Sequence, residues 1–298
     1  MADIERSDDV SLDGLLPPQI AAKAADVGVT KGNLPVRQKF PLAVLAGAFI
    51  GMGAIFYTTV ITGNGAGQAI ELPFGVMKLI GGLAFCLGLI LVIVAGAELF
   101  TGNNLMVMAV ASRKLPIRKL LRNWVIVYVG NFVGAAATAY AMYLTAQYTF
   151  AGGALGIKAM AIADAKCGLA FLPALTRGIF CNVLVCLAVW LCFSCRTTIG
   201  KIVAIVFPIT AFVAAGFEHC VANMYFVPVG LFIRSDAAFW AANGVDVAQF
   251  ADLTWGSFLV ANLVPVTIGN VIGGTILVGA VYWLIYGYAG RPTAQAVS

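Results

Sequence analysis

Long runs without a formal charge constrain this chain more than any other feature. Residues 40–70, 79–97, 99–112, 123–157, 178–195, 202–217, 219–233 and 253–290 contain no Asp, Glu, Lys or Arg. A helix needs roughly 20 apolar residues to cross the hydrocarbon of a bilayer. Joining 79–112 across Glu98 and 202–233 across Glu218 gives six predicted spans. The 61% hydrophobic content exceeds the roughly 45–50% of soluble domains, so the chain reads as an all-α integral membrane protein.

Three segments follow. Residues 1–39 carry acids, Pro17, Pro18 and scattered alanines without the apolar core of a signal peptide, and read as an amphipathic cytoplasmic segment that is retained. Residues 40–290 form the six-span domain, and 291–298 a short cytoplasmic tail. Lys and Arg set the orientation. Lys23, Lys31, Arg37 and Lys39 precede the first span; Arg113, Lys114, Arg118, Lys119 and Arg122 follow the second; Arg196 and Lys201 follow the fourth; Arg291 follows the sixth. The positive-inside rule places all of these, and both termini, in the cytoplasm. The opposite loops hold Lys78, Lys158, Lys166, Arg177 and Arg234 beside acids. Topology thus accounts for the net charge of +5, and nothing supports a nucleic-acid partner.

An internal repeat organises the spans. "AGAELFTGNNLMV" (95–107) matches "AGFEHCVANMYFV" (215–227), pairing Gly96 with Gly216, Glu98 with Glu218 and Asn103 with Asn223 at an offset of 120 residues. "NWVIVYVGNFVG" (123–134) matches "NLVPVTIGNVIGG" (262–274), pairing Asn123 with Asn262, Asn131 with Asn270 and Gly134 with Gly273. A weaker match joins Gly47 to Gly178 and Phe49 to Phe180. Spans one to three therefore repeat as four to six. Three crossings are an odd number, so the second repeat is inverted, an arrangement that puts the working site where broken helices meet near the midplane.

Both shared blocks carry G-x-E-x4-N inside an apolar run. A charge at mid-bilayer costs at least about 2.5–3.5 kcal/mol, and irregular backbone survives there only inside protein or against a wet cavity. The second and fifth helices are thus predicted to be broken. Glu98 and Glu218 read as acceptors for backbone N–H groups at the new helix starts, rather than as substrate contacts, because an ionised acid would repel an anion. Asn103, Asn223 and Asn262 read as support for the breaks, Asn131 and Asn270 as packing amides, and Pro228 as a limit on how the fifth helix resumes.

His219, the one histidine, lies in the second break. With an unperturbed pKa of about 6.5, imidazole can donate a hydrogen bond to an anion or pass it a proton, which lowers the large cost of moving a bare anion through hydrocarbon. Its repeat mate is Leu99, and Thr101 offers a hydroxyl from the first break. Phe85 and Leu89 share one helical face, and Phe212 precedes His219 by seven residues, hence on the same face as it; these read either as packing or as an apolar constriction. Seven cysteines fall mostly within spans, where they act as small apolar groups. The Cys192-x-x-Cys195 pair lacks the further ligands of a metal site, so neither metal nor cofactor is expected.

The blocks "LPFGVMKLIGGLAFCLGLILVIVAGAELFT", "GFEHCVANMYFVPVG" and "NLVPVTIGNVIGG" resemble the formate channels of the formate/nitrite transporter family, and the likeness runs from the first span to "YWLIYGYAG". The resemblance implies an aquaporin-like protomer in a homopentamer, in the inner membrane of a bacterium. It implies His219, Thr101 and Asn182 on the substrate pathway, Lys166 drawing anions in, and Phe85, Leu89 and Phe212 narrowing the pore, with Leu99 grouped with them. It also implies a pH-responsive gate in the N-terminal segment, which would meet a cytoplasmic formate-producing enzyme. Formate is the expected substrate; nitrite, hydrosulfide and a neutral solute are the alternatives, although the Asn-Pro-Ala motif of neutral-solute facilitators is missing. No paired ligands or nucleophile–base pair suggest an enzyme.

Overall fold

The computed structural model describes residues 14–63 and 72–288. The predicted C-terminal tail and the first thirteen residues lie outside these. Every regular element among the described residues is helical. Helix α1 (Pro17–Asn33) leads into α2 (Val36–Ile61) across Pro35, whose fixed φ holds the extended joint. Helix α3 (Phe74–Ile90) ends in a π-helical turn, Leu91–Gly96, and the chain resumes through a 3-10 turn, Gly102–Met106, into α4 (Val107–Ala111). Then come α5 (Ile117–Leu144), α6 (Ala154–Cys167), α7 (Phe171–Ser194), α8 (Thr198–Ala214), α9 (Cys220–Arg234) and α10 (Ala237–Asn243). The last helix carries α11 (Val264–Val271) between π-helical stretches Ser257–Leu263 and Ile272–Ala280.

Five helices among the described residues are long and apolar enough to cross a membrane: Val36–Ile61, Phe74–Gly96, Ile117–Leu144, Phe171–Ser194 and Ser257–Gly287. The run predicted as the fifth span is two shorter helices, α8 and α9. The chain therefore breaks at 97–101 and again at 215–219, as the G-x-E motifs suggested. The second break ends at Cys220, where α9 begins, and α9 runs on through Pro228.

Each unbroken helix packs on its neighbours through glycine. A Cβ at Gly134 would run into the Val44 carbonyl of α2, and one at Gly273 into the Ile179 carbonyl of α7. Val44 and Ile179 differ by 135 residues, and so do Phe40 and Leu175, whose carbonyls face Gly130 and Gly269. The first and fourth spans thus match at 135, one helical turn away from the Gly47–Gly178 pairing read from the sequence. Two glycines on similar helices outweighed a register that only backbone contacts reveal.

Helix α1 lies across one end of the bundle. It buries Ile20, Ala21 and Ala24 against Met108 and Trp190. Lys23 Nζ donates to the Phe193 carbonyl (2.8 Å), Lys114 pairs with Asp26 (2.8 Å) and Lys119 donates to Asn33 (2.6 Å). The Lys residues grouped by the charge rule therefore gather at this end. At the opposite end Tyr148 Oη donates to Asp236 Oδ2 (2.6 Å). That bond holds the Asp236 carboxyl below its usual range and pushes the Tyr148 phenol up to about 12.

The glycine contacts carry a prediction. Gly134→Ala and Gly273→Ala each force two helices apart and should cost about 1–3 kcal/mol, read as a lower melting temperature in detergent. Gly75→Ala, where an added Cβ meets nothing within 4 Å, should leave melting unchanged.

Candidate functional site

The two breaks are built alike. Gly96 (φ 84°) and Gly216 (φ 71°) adopt the left-handed conformation that ends a helix without strain. Behind them Ala97 N donates to Val92 O (2.9 Å) and Phe217 N to Phe212 O (3.0 Å), the same closing bond shifted by 120 residues. Glu98 N then donates to Leu42 O and Glu218 N to Arg177 O. Leu42 and Arg177 again differ by 135.

Amide side chains from neighbouring helices satisfy the rest. Asn131 Nδ2 donates to the carbonyls of Ala43 (2.7 Å) and Glu98 (2.9 Å), while its Oδ1 accepts from Phe100 N (2.9 Å). Asn270 Nδ2 donates to the carbonyls of Gly178 (2.8 Å) and Glu218 (2.9 Å), and its Oδ1 accepts from Cys220 N (2.9 Å). Each buried asparagine thus supplies both donors and one acceptor to a break where unpaired backbone would cost several kcal/mol per group. The sequence reading gave this capping to Glu98 and Glu218. Their carboxylates hold side chains instead, because the chain turns them toward a cation.

That cation is a lysine in both halves. Lys31 Nζ donates to Glu98 Oε1 and Asn103 Oδ1 (2.8 Å each), Asn103 Nδ2 donates to Glu98 Oε2 (2.8 Å) and Asn123 Oδ1 (2.9 Å), and Asn123 Nδ2 reaches the Lys31 carbonyl (3.2 Å). In the other half Lys166 Nζ donates to Glu218 Oε1 (2.9 Å), Asn223 Nδ2 to Glu218 Oε2 and Asn262 Oδ1 (2.7 Å each), and Asn262 Nδ2 to the Lys166 carbonyl (2.9 Å). One difference stands out. Lys166 sits 5.4 Å over the Phe226 ring and leaves the buried Asn223 Oδ1 without a partner among the described residues. Sequence reasoning passed over Lys31; the signal available was Glu98, which needed a counterion just as Glu218 did.

Cavities reach the breaks from both ends. A cavity of about 220 Å³ beside α6 is lined by Lys78, Lys166, Arg177, Glu218 and His219 together with Phe85 and Phe212. On the α1 side a cavity of about 460 Å³ is lined by Lys23, Lys31, Lys201, Leu42 and Glu98, and a smaller one of about 70 Å³ reaches Leu89, Leu99 and Gly102. Each large cavity sets three cations against one carboxylate. Between them Phe85 and Phe212 meet edge to face at 5.7 Å between centroids, and Phe85, Leu89, Leu99 and Phe212 are all buried.

One polar pair lies in this layer. Thr101 Oγ1 and His219 Nε2 are 3.0 Å apart, both buried. His219 caps the start of α9, its Nδ1 accepting from Ala222 N (3.1 Å). In the neutral ring the proton therefore sits on Nε2 and points at Thr101. The His219 ring lies 6.1 Å from that of Phe212, although α8 ends before the histidine and the shared helical face used to join them does not exist. Asn182 Nδ2 donates to the carbonyls of Asn270 (2.6 Å) and Thr101 (3.3 Å) and to Asn104 Oδ1 (3.0 Å), tying the first break to the last helix.

Known proteins are similar to this chain. A family model described as formate/nitrite transporter matches residues 18–284. The formate channel FocA of Escherichia coli strain K12 is 44% identical over 280 residues, covering 93% of this chain and 96% of its own. The formate channel FocA of Haemophilus influenzae is 39% identical, covering 89% and 92%. A solved structure described as a pentameric formate channel with formate bound superposes with a TM-score of 0.78 at 47% identity, covering 84% of this chain and 97% of that one.

The supporting side chains yield two predictions. Asn131→Ala or Asn270→Ala orphans three buried backbone groups and should cost about 2 kcal/mol or more, measured by thermal unfolding in detergent; an unchanged midpoint would show that the amides do not hold the breaks. Lys166→Met leaves Glu218 buried and uncompensated at a cost of roughly 3–5 kcal/mol, most of which should return in Lys166→Met with Glu218→Met.

Proposed function

This chain belongs to the formate/nitrite transporter family, and on that premise we propose that it conducts formate and similar small monovalent anions across the membrane in which it is a multi-pass protein. It is a channel and not an enzyme. Formate comes from what its relatives are named for. The observation that carries the mechanism is the Thr101–His219 pair, the polar contact in an otherwise apolar layer between two basic cavities.

An anion is drawn into either cavity by its excess of cations. Beyond lies the layer of Phe85, Leu89, Leu99 and Phe212, which admits an ion only after its water has been stripped. A bare anion in hydrocarbon faces tens of kcal/mol. Formate lowers this barrier by replacing the bond between His219 Nε2–H and the Thr101 hydroxyl with one bond to each. Because Ala222 N–H occupies Nδ1, the proton on Nε2 is the ring proton that an anion meets; a proton passes to formate only from the imidazolium, formed when Nδ1 releases Ala222 N–H and takes a proton from water, and that step links flux to pH. Asn182 positions Thr101 through its carbonyl, and Lys166 contributes charge at the entrance.

The remaining architecture belongs to the same proposal. Six spans form two inverted three-helix repeats around the pore, in an aquaporin-like protomer. The matched hydrogen bonds at Asn131 and Asn270 support this reading. Five protomers assemble, as in the solved relative. Residues 40–290 are the channel domain in a bacterial inner membrane, and both termini are cytoplasmic. The segment 1–39 acts as the gate: α1 lines the cavities at its end, and its departure would take Lys31 from Glu98. Its outer face is where a formate-producing enzyme would dock.

The test is formate uptake into proteoliposomes across external pH 4 to 8, with nitrite, hydrosulfide, lactate and glycerol as competitors. His219→Asn should flatten the pH profile, and Thr101→Val should slow uptake about tenfold, as loss of one hydrogen bond to an anion implies. An unchanged profile in the histidine variant would remove His219 from the pathway. Stronger competition by nitrite or hydrosulfide than by unlabelled formate would reassign the substrate.

A further inference from the structure

Three cations face the cavity beside α6, and they are not equivalent. Lys166 gives its ammonium to Glu218 at 2.9 Å. Lys78 lies 5.5 Å over the Phe74 ring. The guanidinium of Arg177 makes no ion pair with any described residue, yet it lines the cavity together with His219.

The fold fixes the backbone of Arg177 and leaves its side chain open. The Arg177 carbonyl accepts from Glu218 N (3.3 Å), next to the histidine in sequence, as the Leu42 carbonyl accepts from Glu98 N (3.2 Å). Leu42 lines the opposite cavity at the equivalent place. One structural position thus holds leucine at one mouth and arginine at the other, so the bundle does not demand the charge. A guanidinium is a planar fork whose two parallel N–H groups match the two oxygens of a carboxylate, whereas an ammonium acts as a point charge.

We propose that Arg177 is the capture site of the cavity beside α6, holding a planar oxyanion through two parallel hydrogen bonds before it passes to His219, and so favouring carboxylates over anions with one acceptor atom. This rests on the channel reading above and adds to it a residue that sorts substrates at the entrance. Lys166, neutralised by Glu218, serves the helix break more than the anion.

The test uses the purified full-length protein in proteoliposomes, with uptake of formate and of hydrosulfide measured against concentration for the native protein, Arg177→Lys and Arg177→Gln. Arg177→Lys keeps the charge and loses the fork. Its half-saturating formate concentration should rise about fivefold while the value for hydrosulfide and both maximal rates stay within about twofold. Arg177→Gln should raise the half-saturating concentration of both anions. Unchanged formate saturation in Arg177→Lys, or equal shifts for the two anions, would overturn the inference, as would a fall in maximal rate alone. Native protein that takes up no formate would instead overturn the channel reading itself.

Discussion

The structure depends on one demand: two helices must stop and restart inside an apolar slab without stranding backbone donors or acceptors. Lipid supplies no partner for a freed N–H or C=O. Asn131 and Asn270 meet the demand from adjacent helices, each with two donated bonds and one accepted. Everything at the centre follows from that solution. Glycine turns the chain away from its axis, the carboxylates leave the helix ends for a lysine, and Leu99, Thr101 and His219, within the breaks, come to lie between the two cavities.

The same frame, used twice, carries different chemistry in each half. His219 stands where the first half has Leu99, Thr101 where the second has Val221, and Arg177 where the first has Leu42. The duplicated Asn131 and Asn270 hold backbone, while Leu42, Leu99, Arg177 and His219, which differ between the halves, line the cavities. A structure of this kind separates holding from handling. Substitutions among the unmatched residues alter what an anion meets, and leave the asparagine caps and glycine contacts as they are.

Much of this was legible in the sequence. The charge-free runs anticipated the five helices long and apolar enough to cross a membrane, and the two G-x-E-x4-N blocks located both breaks because an acid is so costly in lipid that few other readings survive. His219 and Thr101 were legible as a pair through the same blocks. What escaped was whatever depended on distant backbone. The register of α2 against α7 was misread by a turn, since a glycine match says nothing of which carbonyl it faces. Capping was assigned to the nearest acids, while it comes from asparagines thirty or more residues further along. Lys31 was counted as a topological charge, because its approach to Glu98 depends on how α1 docks.

The position of the caps also bears on how the chain is made. Phe100 N is completed by a residue 31 positions later, and Cys220 N by one 50 positions later. A nascent chain that has released the second span but not the third carries a broken helix with orphan groups and no lipid-compatible state. Each break is thus complete only together with the helix that brings its asparagine, α5 for residues 97–101 and the last helix for residues 215–219.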